Sequence, residues 1–188
     1  GSGDQHTTVV WKYTNKKLSI LKEFRMPDSL GWFYAAITEY LGFHAYNCEY
    51  KVMGLAAYGK FNQELKKKID NIITKDQNGF YKIDPTYIHY GQHSYSDRFT
   101  DKLVELFDSK PRLETSPISS FHEDLAFAAQ KKLEEVTTNI IEWAINETGI
   151  KNVCIGGGVG LNIKMNSNLF ENQNVNDLFA HPLCNDGG

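Results

Sequence analysis

The chain has 188 residues, 41% of them hydrophobic and 13% aromatic, which is enough apolar material for one sizeable core or two small lobes and argues against disorder. Twenty basic and 23 acidic side chains leave a formal charge of -3, and the basic residues are spread along the sequence, which argues against a nucleic-acid partner. No apolar run approaches the roughly 18 residues of a membrane span, there is no signal-peptide layout, and the three cysteines are far apart, so a cytoplasmic protein without membrane contact is expected.

The predicted elements begin with a β-hairpin and a core helix. Segments 7–13 and 17–24 are rich in β-branched and aromatic residues and flank a turn at 14–16. Apolar residues at helical spacing predict a helix over 30–43, which Gly42 should end. The elements predicted next are helices over 49–58, 61–73 and 98–107, a strand over 80–83, a loop over 84–96 and an extended connector over 111–117.

The clearest helical pattern covers residues 119–148. Ser120 is expected to cap this helix, with Glu123 three positions later as in a capping box, and Gly149 should stop it. A strand over 152–155, a glycine run, a helix near 161–170 and a strand near 177–180 follow. This strand–glycine–helix–strand order predicts an α/β fold with a mixed sheet, whose strand directions are mixed because of the N-terminal hairpin.

The glycine run raises the question of what lies close to the backbone there. Residues 151–162 read KNVCIGGGVGLN, which matches neither the dinucleotide fingerprint nor a P-loop, because Lys164 is misplaced and no Ser or Thr follows it. Glycines between a strand and a helix let backbone N–H groups face an anion or a ribose, but they also permit close strand–helix packing. Both explanations stay open, and Asn162, whose amide can donate and accept hydrogen bonds, favours ligand contact slightly.

Two further patterns bear on metal or phosphate binding. His89 and His93 have metal-ligand spacing, but a glycine lies between them and no nearby Cys or carboxylate completes a set, so surface or packing roles are the default. Asp186 follows an apolar run and could hold a hard cation, although a turn aspartate is the commoner case. Gly3 and Thr7 suit either a tight turn or donors to phosphate.

Several segments, in this order along the chain, resemble one family. They are DSLG at 28–31, GF at 42–43, EYKVMGLAAYG at 49–59, PR at 111–112, FHEDLAFAAQ at 121–130, GGVGLN at 157–162 and HPLCNDGG at 181–188. Together they look like the carbamoyltransferases that modify Nod factors, antibiotics and sugars. The resemblance covers nearly the whole chain, and EYKVMGLAAYG is its most specific part.

The resemblance implies a fold and a reaction. The fold would be an actin-like, ribonuclease-H-like ATP-binding domain, similar to the universal tRNA threonylcarbamoyl-transfer protein, and the 188 residues would form part of this one N-terminal domain. In the family, ATP and carbamoyl phosphate give a carbamoyl-adenylate, whose carbamoyl group passes to a hydroxyl of a small-molecule or glycan acceptor. A divalent metal (iron, manganese or zinc) and backbone donors would stabilise the developing charge.

The resemblance also assigns nucleotide contacts. Gly157, Gly158 and Asn162 would lie at the nucleotide. Glu49 and Lys51 would lie near its ribose or would hold that lobe in place. These five residues are the expected nucleotide site, together with the phosphate-facing loop described next.

The remaining assignments concern the metal and the phosphates. Asp186 would be the carboxylate ligand of the metal, and Gly3 and Thr7 would belong to a phosphate-facing loop. The family's two metal-binding histidines lie in an H-x-x-x-H motif upstream of the hairpin, so His89 and His93 occupy the wrong place. The domain that handles carbamoyl phosphate would follow residue 188. We therefore expect the segment alone to bind nucleotide weakly at most and to transfer no carbamoyl group.

Two alternatives are kept. One is a tRNA threonylcarbamoyl-transfer protein, which the EYKVMGLA segment and the lack of a basic patch disfavour. The other is a nucleotide-binding or partner-binding module with no chemistry of its own.

Overall fold

The computed structural model describes residues 5–90 and 97–184, so the predictions for Gly3, His93 and Asp186 fall outside the described residues. The helices are α1 (Leu30–Tyr40), α2 (Glu49–Leu55), α3 (Gln63–Ile72), α4 (Asp101–Phe107), α5 (Ser120–Thr148) and α6 (Ile163–Phe170). The strands are β1 (Thr8–Thr14), β2 (Lys17–Phe24), β3 (Ile73–Lys75), β4 (Tyr81–Ile83), β5 (Asn152–Ile155) and β6 (Asp177–Ala180). Short 3₁₀ turns cover Pro85–Tyr87 and Gly158–Leu161.

The chain divides into two compact units, and α5 contributes residues to both. One unit comprises Gly1–Gly31 and Glu134–Gly188, and the other comprises Trp32–Leu133. Within the described residues, no helix is long and apolar enough to cross a membrane. The mixture of helices and strands confirms the predicted α/β class, while the actin-like arrangement stays a prediction.

The discontinuous unit contains the predicted hairpin. β1 and β2 pair antiparallel, and Thr14 pairs with Lys17, so the turn consists of Asn15 and Lys16 alone. Both turn residues are left-handed, with φ of 51° and 59°, as a two-residue type I′ turn requires. The hairpin prediction is confirmed, with Thr14 belonging to the strand rather than to the turn.

The same unit contains the predicted strand–glycine–helix–strand segment. β5 and β6 pair in parallel, from Asn152 with Asp177 to Ile155 with Ala180, and α6 lies between them in sequence. Parallel neighbours need a crossover connection of this kind. Strand directions are mixed across the protein, as predicted, but among the described residues the strands form separate two-stranded sheets rather than one mixed sheet.

The continuous unit is built around α1. Phe33, Ile37 and Tyr40 are almost fully buried on this helix. The Tyr40 ring packs edge-on against Phe99 and Phe107, with centroid distances of 5.5 and 5.0 Å. Burial raises the pKa of the Tyr40 hydroxyl to about 12, and the hydroxyl donates a hydrogen bond to the backbone carbonyl of Ser109.

Two predicted boundaries in this unit are wrong because tertiary pairing overrides local pattern. The helix predicted over 61–73 ends at Ile72, and Ile73 turns to φ -119° and begins a strand that pairs with β4. The helix predicted over 98–107 begins at Asp101 instead. Arg98 is held outside it by Glu39, whose carboxylate accepts the Arg98 backbone N–H at 2.6 Å.

The predicted cap of α5 is shifted by one residue. The carbonyl of Ser119 accepts the first helical hydrogen bond, from Glu123, so Ser119 rather than Ser120 occupies the cap position. The backbone N–H of Ser119 donates to Nδ1 of His122 at 3.0 Å. His122 therefore takes the place that a Glu or Gln occupies in a capping box.

Candidate functional site

The loop that follows β5 presents three glycines with open space beside them. A Cβ atom added at Gly156, Gly157 or Gly158 would meet no heavy atom within 4 Å. Gly157 has φ 85° and ψ 161°, a conformation that is essentially restricted to glycine. Within the described part of the chain, the N–H groups of these three residues donate no hydrogen bond. Close packing against the described residues therefore does not account for the triplet.

Gly160 lies in the same loop, but glycine is required there for a different reason. A Cβ atom there would lie 3.0 Å from Sγ of Cys184 and 3.0 Å from Cγ2 of Ile155. These contacts are tighter than a well-packed core tolerates. Close packing thus explains Gly160. Of the two alternatives left open by the sequence, packing applies to Gly160, and ligand contact stays a prediction for residues 156–158.

Asn162 is buried at the start of α6 and serves as its N-cap. Its Oδ1 accepts the backbone N–H of Met165 at 2.9 Å, which satisfies one of the free donors of the first helical turn. From the sequence, only a ligand role was expected for this amide. An Asn immediately before the first residue of a helix is a common N-cap, and this sequence signal would have predicted the capping role of Asn162.

Thr7 lies buried just before β1. Its hydroxyl donates to the backbone carbonyl of Asp28, and its N–H donates to the carbonyl of Phe24 at 2.9 Å. Thr7 therefore ties the start of the hairpin to the segment that precedes α1. A contact with phosphate stays a prediction, as does the role of Gly3.

Glu49 and Lys51 lie in the first turn of α2, in the continuous unit. Oε1 of Glu49 accepts the backbone N–H of Tyr46 at 2.6 Å. Nζ of Lys51 lies 5.6 Å from the ring centroid of Phe43. Both side chains thus contact the loop that joins α1 to α2. These contacts fit the holding role that was one of the two alternatives for the pair, and the ribose contact stays a prediction.

Arg112 is a buried residue of the continuous unit for which no role was predicted from the sequence. Its backbone N–H donates to the carbonyl of Tyr40, and its guanidinium lies 4.9 Å from the ring centroid of Phe43. The side chain donates to backbone carbonyls at both ends of the segment it spans, namely those of Leu41, Gly42, Glu114 and Ser116. A guanidinium has five N–H donors in a fixed geometry, so one arginine side chain can bind several carbonyls at once. The PR segment at 111–112 is one of those that carry the family resemblance, but no role was predicted for it. Hydrogen bonds from a side chain to backbone carbonyls distant in sequence cannot be predicted from residue spacing.

Arg98 is a second buried arginine without a predicted role. Its Nε donates to Glu39 at 3.0 Å, and its guanidinium carbon lies 4.9 Å from the ring centroid of Trp32 and 4.1 Å from that of Tyr46. The cation is thus paired with a carboxylate and covered by two aromatic rings, a geometry that stabilises a desolvated guanidinium.

Two of the segments that carry the resemblance contact each other. A Cβ atom at Gly59, the last residue of EYKVMGLAAYG, would lie 2.1 Å from the carbonyl oxygen of Glu123. The N–H of Lys60 donates to Oδ1 of Asp124 at 2.8 Å. Gly59 is therefore needed for the close approach of this segment to the first turn of α5.

The metal prediction depends on residues outside the described ranges. Within 5–90 and 97–184, no group of three His, Cys, Asp or Glu side chains could hold a metal ion. His89 is exposed, as the surface role expected for it requires, and its backbone N–H donates to the carbonyl of Arg98 at 3.0 Å. Asp186 as a metal ligand stays a prediction.

One protein family and several known proteins match this chain. The profile of the family described as carbamoyltransferase N-terminus matches residues 1–188. Nodulation protein NolNO of Sinorhizobium fredii is 29% identical over 190 residues, which is all of this chain and 25% of that protein. An uncharacterized protein of Synechocystis sp. is 30% identical over 188 residues, all of this chain and 30% of that protein.

A partial similarity extends to a second kind of enzyme. A tRNA N6-adenosine threonylcarbamoyltransferase of Polynucleobacter necessarius is 30% identical over 128 residues, which is 64% of this chain and 36% of that protein. The chain thus spans about a third or less of the length of these relatives. Because the carbamoyltransferase profile matches residues 1–188, the chain belongs to the carbamoyltransferase N-terminus family.

Proposed function

We propose that the full-length protein is an ATP-dependent O-carbamoyltransferase and that this chain provides part of its nucleotide-binding surface. The observation that carries the proposal is the loop at residues 156–158. Its three glycines leave open space, and their N–H groups have no acceptor among the described residues. Oriented backbone N–H groups without side-chain bulk are the groups that bind phosphate oxygens. Membership of the carbamoyltransferase family supports the same reading.

In the proposed reaction, water releases inorganic phosphate from carbamoyl phosphate. An oxygen of the resulting carbamate attacks the α-phosphorus of ATP and displaces pyrophosphate, which gives a carbamoyl-adenylate with AMP as a good leaving group. A hydroxyl oxygen of the acceptor attacks the carbamoyl carbon, the bond from that carbon to the AMP oxygen breaks, and AMP leaves with the electron pair. The hydroxyl proton passes to a base or to solvent. The backbone N–H groups of Gly157 and Gly158 would donate to the phosphates. At position 157, glycine is the one residue type that adopts the observed backbone conformation without strain.

Other parts of the proposal rest on the resemblance. Carbamoyl phosphate would be the donor, and a small molecule or glycan would provide the hydroxyl. Asp186 would bind a divalent metal, and Gly3 and Thr7 would face the phosphates. The described residues offer no metal site on which to test a metal-dependent step.

The test of the proposal is ATP binding by the full-length protein and its Gly158→Ala variant, measured by calorimetry. An added methyl group has open space in the protein but would meet a ligand on the backbone, so we expect affinity for ATP to fall about tenfold or more. Thermal stability should stay nearly unchanged. Ser167→Ala, on the exposed side of α6, is the control and should bind ATP normally. Unchanged affinity in Gly158→Ala would remove this loop from the nucleotide site.

A tRNA-directed enzyme is the second candidate, because threonylcarbamoyltransferases match part of the chain. They match 64% of it, whereas the nodulation protein matches all of it. The formal charge of -3 also gives no electrostatic support for tRNA binding. Threonylcarbamoylation of tRNA by the full-length protein would favour this candidate.

A further inference from the structure

Asn166, on α6, reaches back to the 3₁₀ turn that follows the glycine loop. Its Nδ2 donates to the carbonyl of Gly160 at 2.7 Å. A carbonyl oxygen can only accept, so the amide nitrogen rather than Oδ1 must face Gly160. The backbone N–H of Asn166 donates to the carbonyl of Asn162 at 3.0 Å, so the side chain starts from a hydrogen-bonded part of the helix. One side chain thus ties the turn to α6, within the discontinuous unit that also contains the glycine loop.

The stability of α6 does not explain an asparagine at this position. Oδ1 of Asn166 is buried and has no hydrogen-bond partner among the described residues. A buried acceptor without a partner costs free energy, which an apolar side chain would avoid. The bond from Nδ2 to Gly160 is therefore the contribution that requires an amide here.

The same turn sets the direction of a glycine N–H group. The N–H of Gly160 donates to the carbonyl of Gly157 at 2.8 Å. The peptide bond from Gly157 to Gly158 is trans, and in a trans peptide the C=O and N–H groups point in opposite directions. The N–H of Gly158 therefore points away from the turn, and it donates to no acceptor among the described residues.

Gly160 connects these two hydrogen bonds. Glycine has the widest choice of backbone conformations, so its surroundings must fix it. Ile155 and Cys184 pack against its Cα, since an added Cβ would lie 3.0 Å from a side-chain atom of each. Asn166 fixes the carbonyl on the other side of that Cα. Loss of the Asn166 bond would leave the Gly160 carbonyl free to rotate and would loosen the bond to Gly157.

We infer that Asn166 is a positioning residue of the proposed nucleotide site, and that it acts by fixing the turn that aims the Gly158 N–H at a phosphate group. The inference rests on the proposed function. It requires an amide donor at position 166. It also requires that Asn166 and Gly158 affect ATP binding through one contact rather than two.

The test is the affinity of the full-length protein for ATP, measured by calorimetry in a double-mutant cycle. Asn166→Leu keeps a side chain of similar shape without the donor, and should weaken ATP binding about five- to tenfold, as the weakening of one hydrogen bond to a charged group predicts. In Gly158→Ala, the added methyl group already keeps the phosphates from the backbone. Adding Asn166→Leu to that variant should therefore change the affinity by less than about twofold.

Two further variants separate the donor from other effects. Asn166→Ala also lacks the donor but is smaller than asparagine, so it should give the same loss as Asn166→Leu without any steric clash. Asn168→Ala is the matched control, because the Nδ2 of Asn168 donates to Thr138 on α5 at 3.1 Å rather than to the loop. This variant also removes a side-chain hydrogen bond of α6, and it should bind ATP as the wild-type protein does.

Each other outcome has a definite meaning. Wild-type affinity in either Asn166 variant, or an equal loss in Asn168→Ala, overturns the inference and leaves the proposed function standing. A loss in the double variant equal to the product of the two single losses also overturns it, because Asn166 would then act independently of Gly158. Failure of the wild-type protein to bind ATP, or unchanged affinity in Gly158→Ala, overturns the proposed function, and the inference falls with it.

Discussion

Gly157 differs from the glycines on either side of it in backbone conformation rather than in space. Only Gly157 has a positive φ, of 85°, whereas an added Cβ would be unobstructed at Gly156, Gly157 and Gly158 alike. Any residue with a Cβ at position 157 is strained whatever room it has. A stability effect and a ligand-binding effect can therefore be separated within one loop.

Alanine substitution should separate these effects. Gly157→Ala should lower the free energy of unfolding by about 1–3 kcal/mol, because the left-handed conformation is strained for alanine. Gly158→Ala, with ordinary φ and open space, should change it by less than about 0.5 kcal/mol. Urea denaturation of the full-length protein measures both. Equal losses in the two variants would contradict the assigned conformations.

The sequence marked this site without resolving it. The strand followed by glycines predicted that something approaches the backbone, and the open space at 156–158 agrees with that expectation. The sequence could not distinguish these glycines from Gly160. The difference depends on Cys184, which lies 24 positions away in sequence and which an added Cβ would meet at Gly160 but not at the other three. Arg98 and Arg112 were missed for the same reason, since their partners are carbonyls and rings distant in sequence.

At the level of elements, the segment that follows α2 approaches the first turn of α5 through one glycine. A Cβ at Gly59 would overlap the carbonyl of Glu123 at 2.1 Å, and a backbone atom cannot yield as a flexible side chain can. Gly54, inside α2, has nothing within 4 Å of an added Cβ. The two glycines of EYKVMGLAAYG therefore serve different purposes.

Opposite effects on stability are expected at these two positions. Gly59→Ala should destabilise the protein by about 1–3 kcal/mol or more, as overpacking does. Gly54→Ala should stabilise it by about 0.5–1 kcal/mol, since alanine is the better residue in a helix interior. Thermal unfolding of the two variants compares them directly. Destabilisation of similar size at both positions would contradict the described contact.

The N-terminus of α5 should be sensitive to acid. Burial of the imidazole, and then the nearby Arg112 guanidinium, lower the pKa of His122 from its usual value. Nδ1 accepts the Ser119 N–H only while that nitrogen is unprotonated. Because the folded state binds the proton less readily than the unfolded state, stability is complete above the unfolded pKa of about 6.5 and is lost as pH falls through the lower folded pKa.

Hydrogen exchange of the first turn of α5, followed from about pH 7 to 5, checks this expectation around the ordinary histidine pKa. Wild-type amides in this turn should exchange increasingly fast, relative to the intrinsic rate, as pH falls. His122→Gln, which keeps an acceptor and does not titrate, should abolish that trend. Protection that is independent of pH in the wild-type protein would contradict the capping role of His122.

Elements with a clear period in the sequence were predicted well. The hairpin, α1 and α5 follow from alternation or helical spacing over seven or more residues, and their bounds agree within a few residues. β3 was missed because three residues carry no period of their own, and its strand conformation depends on pairing with β4. The predicted mixed sheet is not formed by the described strands, which pair into three separate two-stranded sheets.

At the scale of the whole molecule, the chain forms two compact units and belongs to the carbamoyltransferase N-terminus family. It covers 30% of the Synechocystis relative and 25% of the nodulation protein. The glycine loop at 156–158 leaves open space beside its backbone, and it is the observation on which the proposed nucleotide-binding role depends.

Release of pyrophosphate from ATP by the purified full-length protein, with and without carbamoyl phosphate, tests the proposed chemistry without knowledge of the acceptor. Formation of a carbamoyl-adenylate releases pyrophosphate and requires both compounds. We predict a burst of pyrophosphate equal to the enzyme concentration when both are present, and none when carbamoyl phosphate is omitted. Release that is absent in both conditions, or equal in both, would contradict an ATP-dependent carbamoyltransferase.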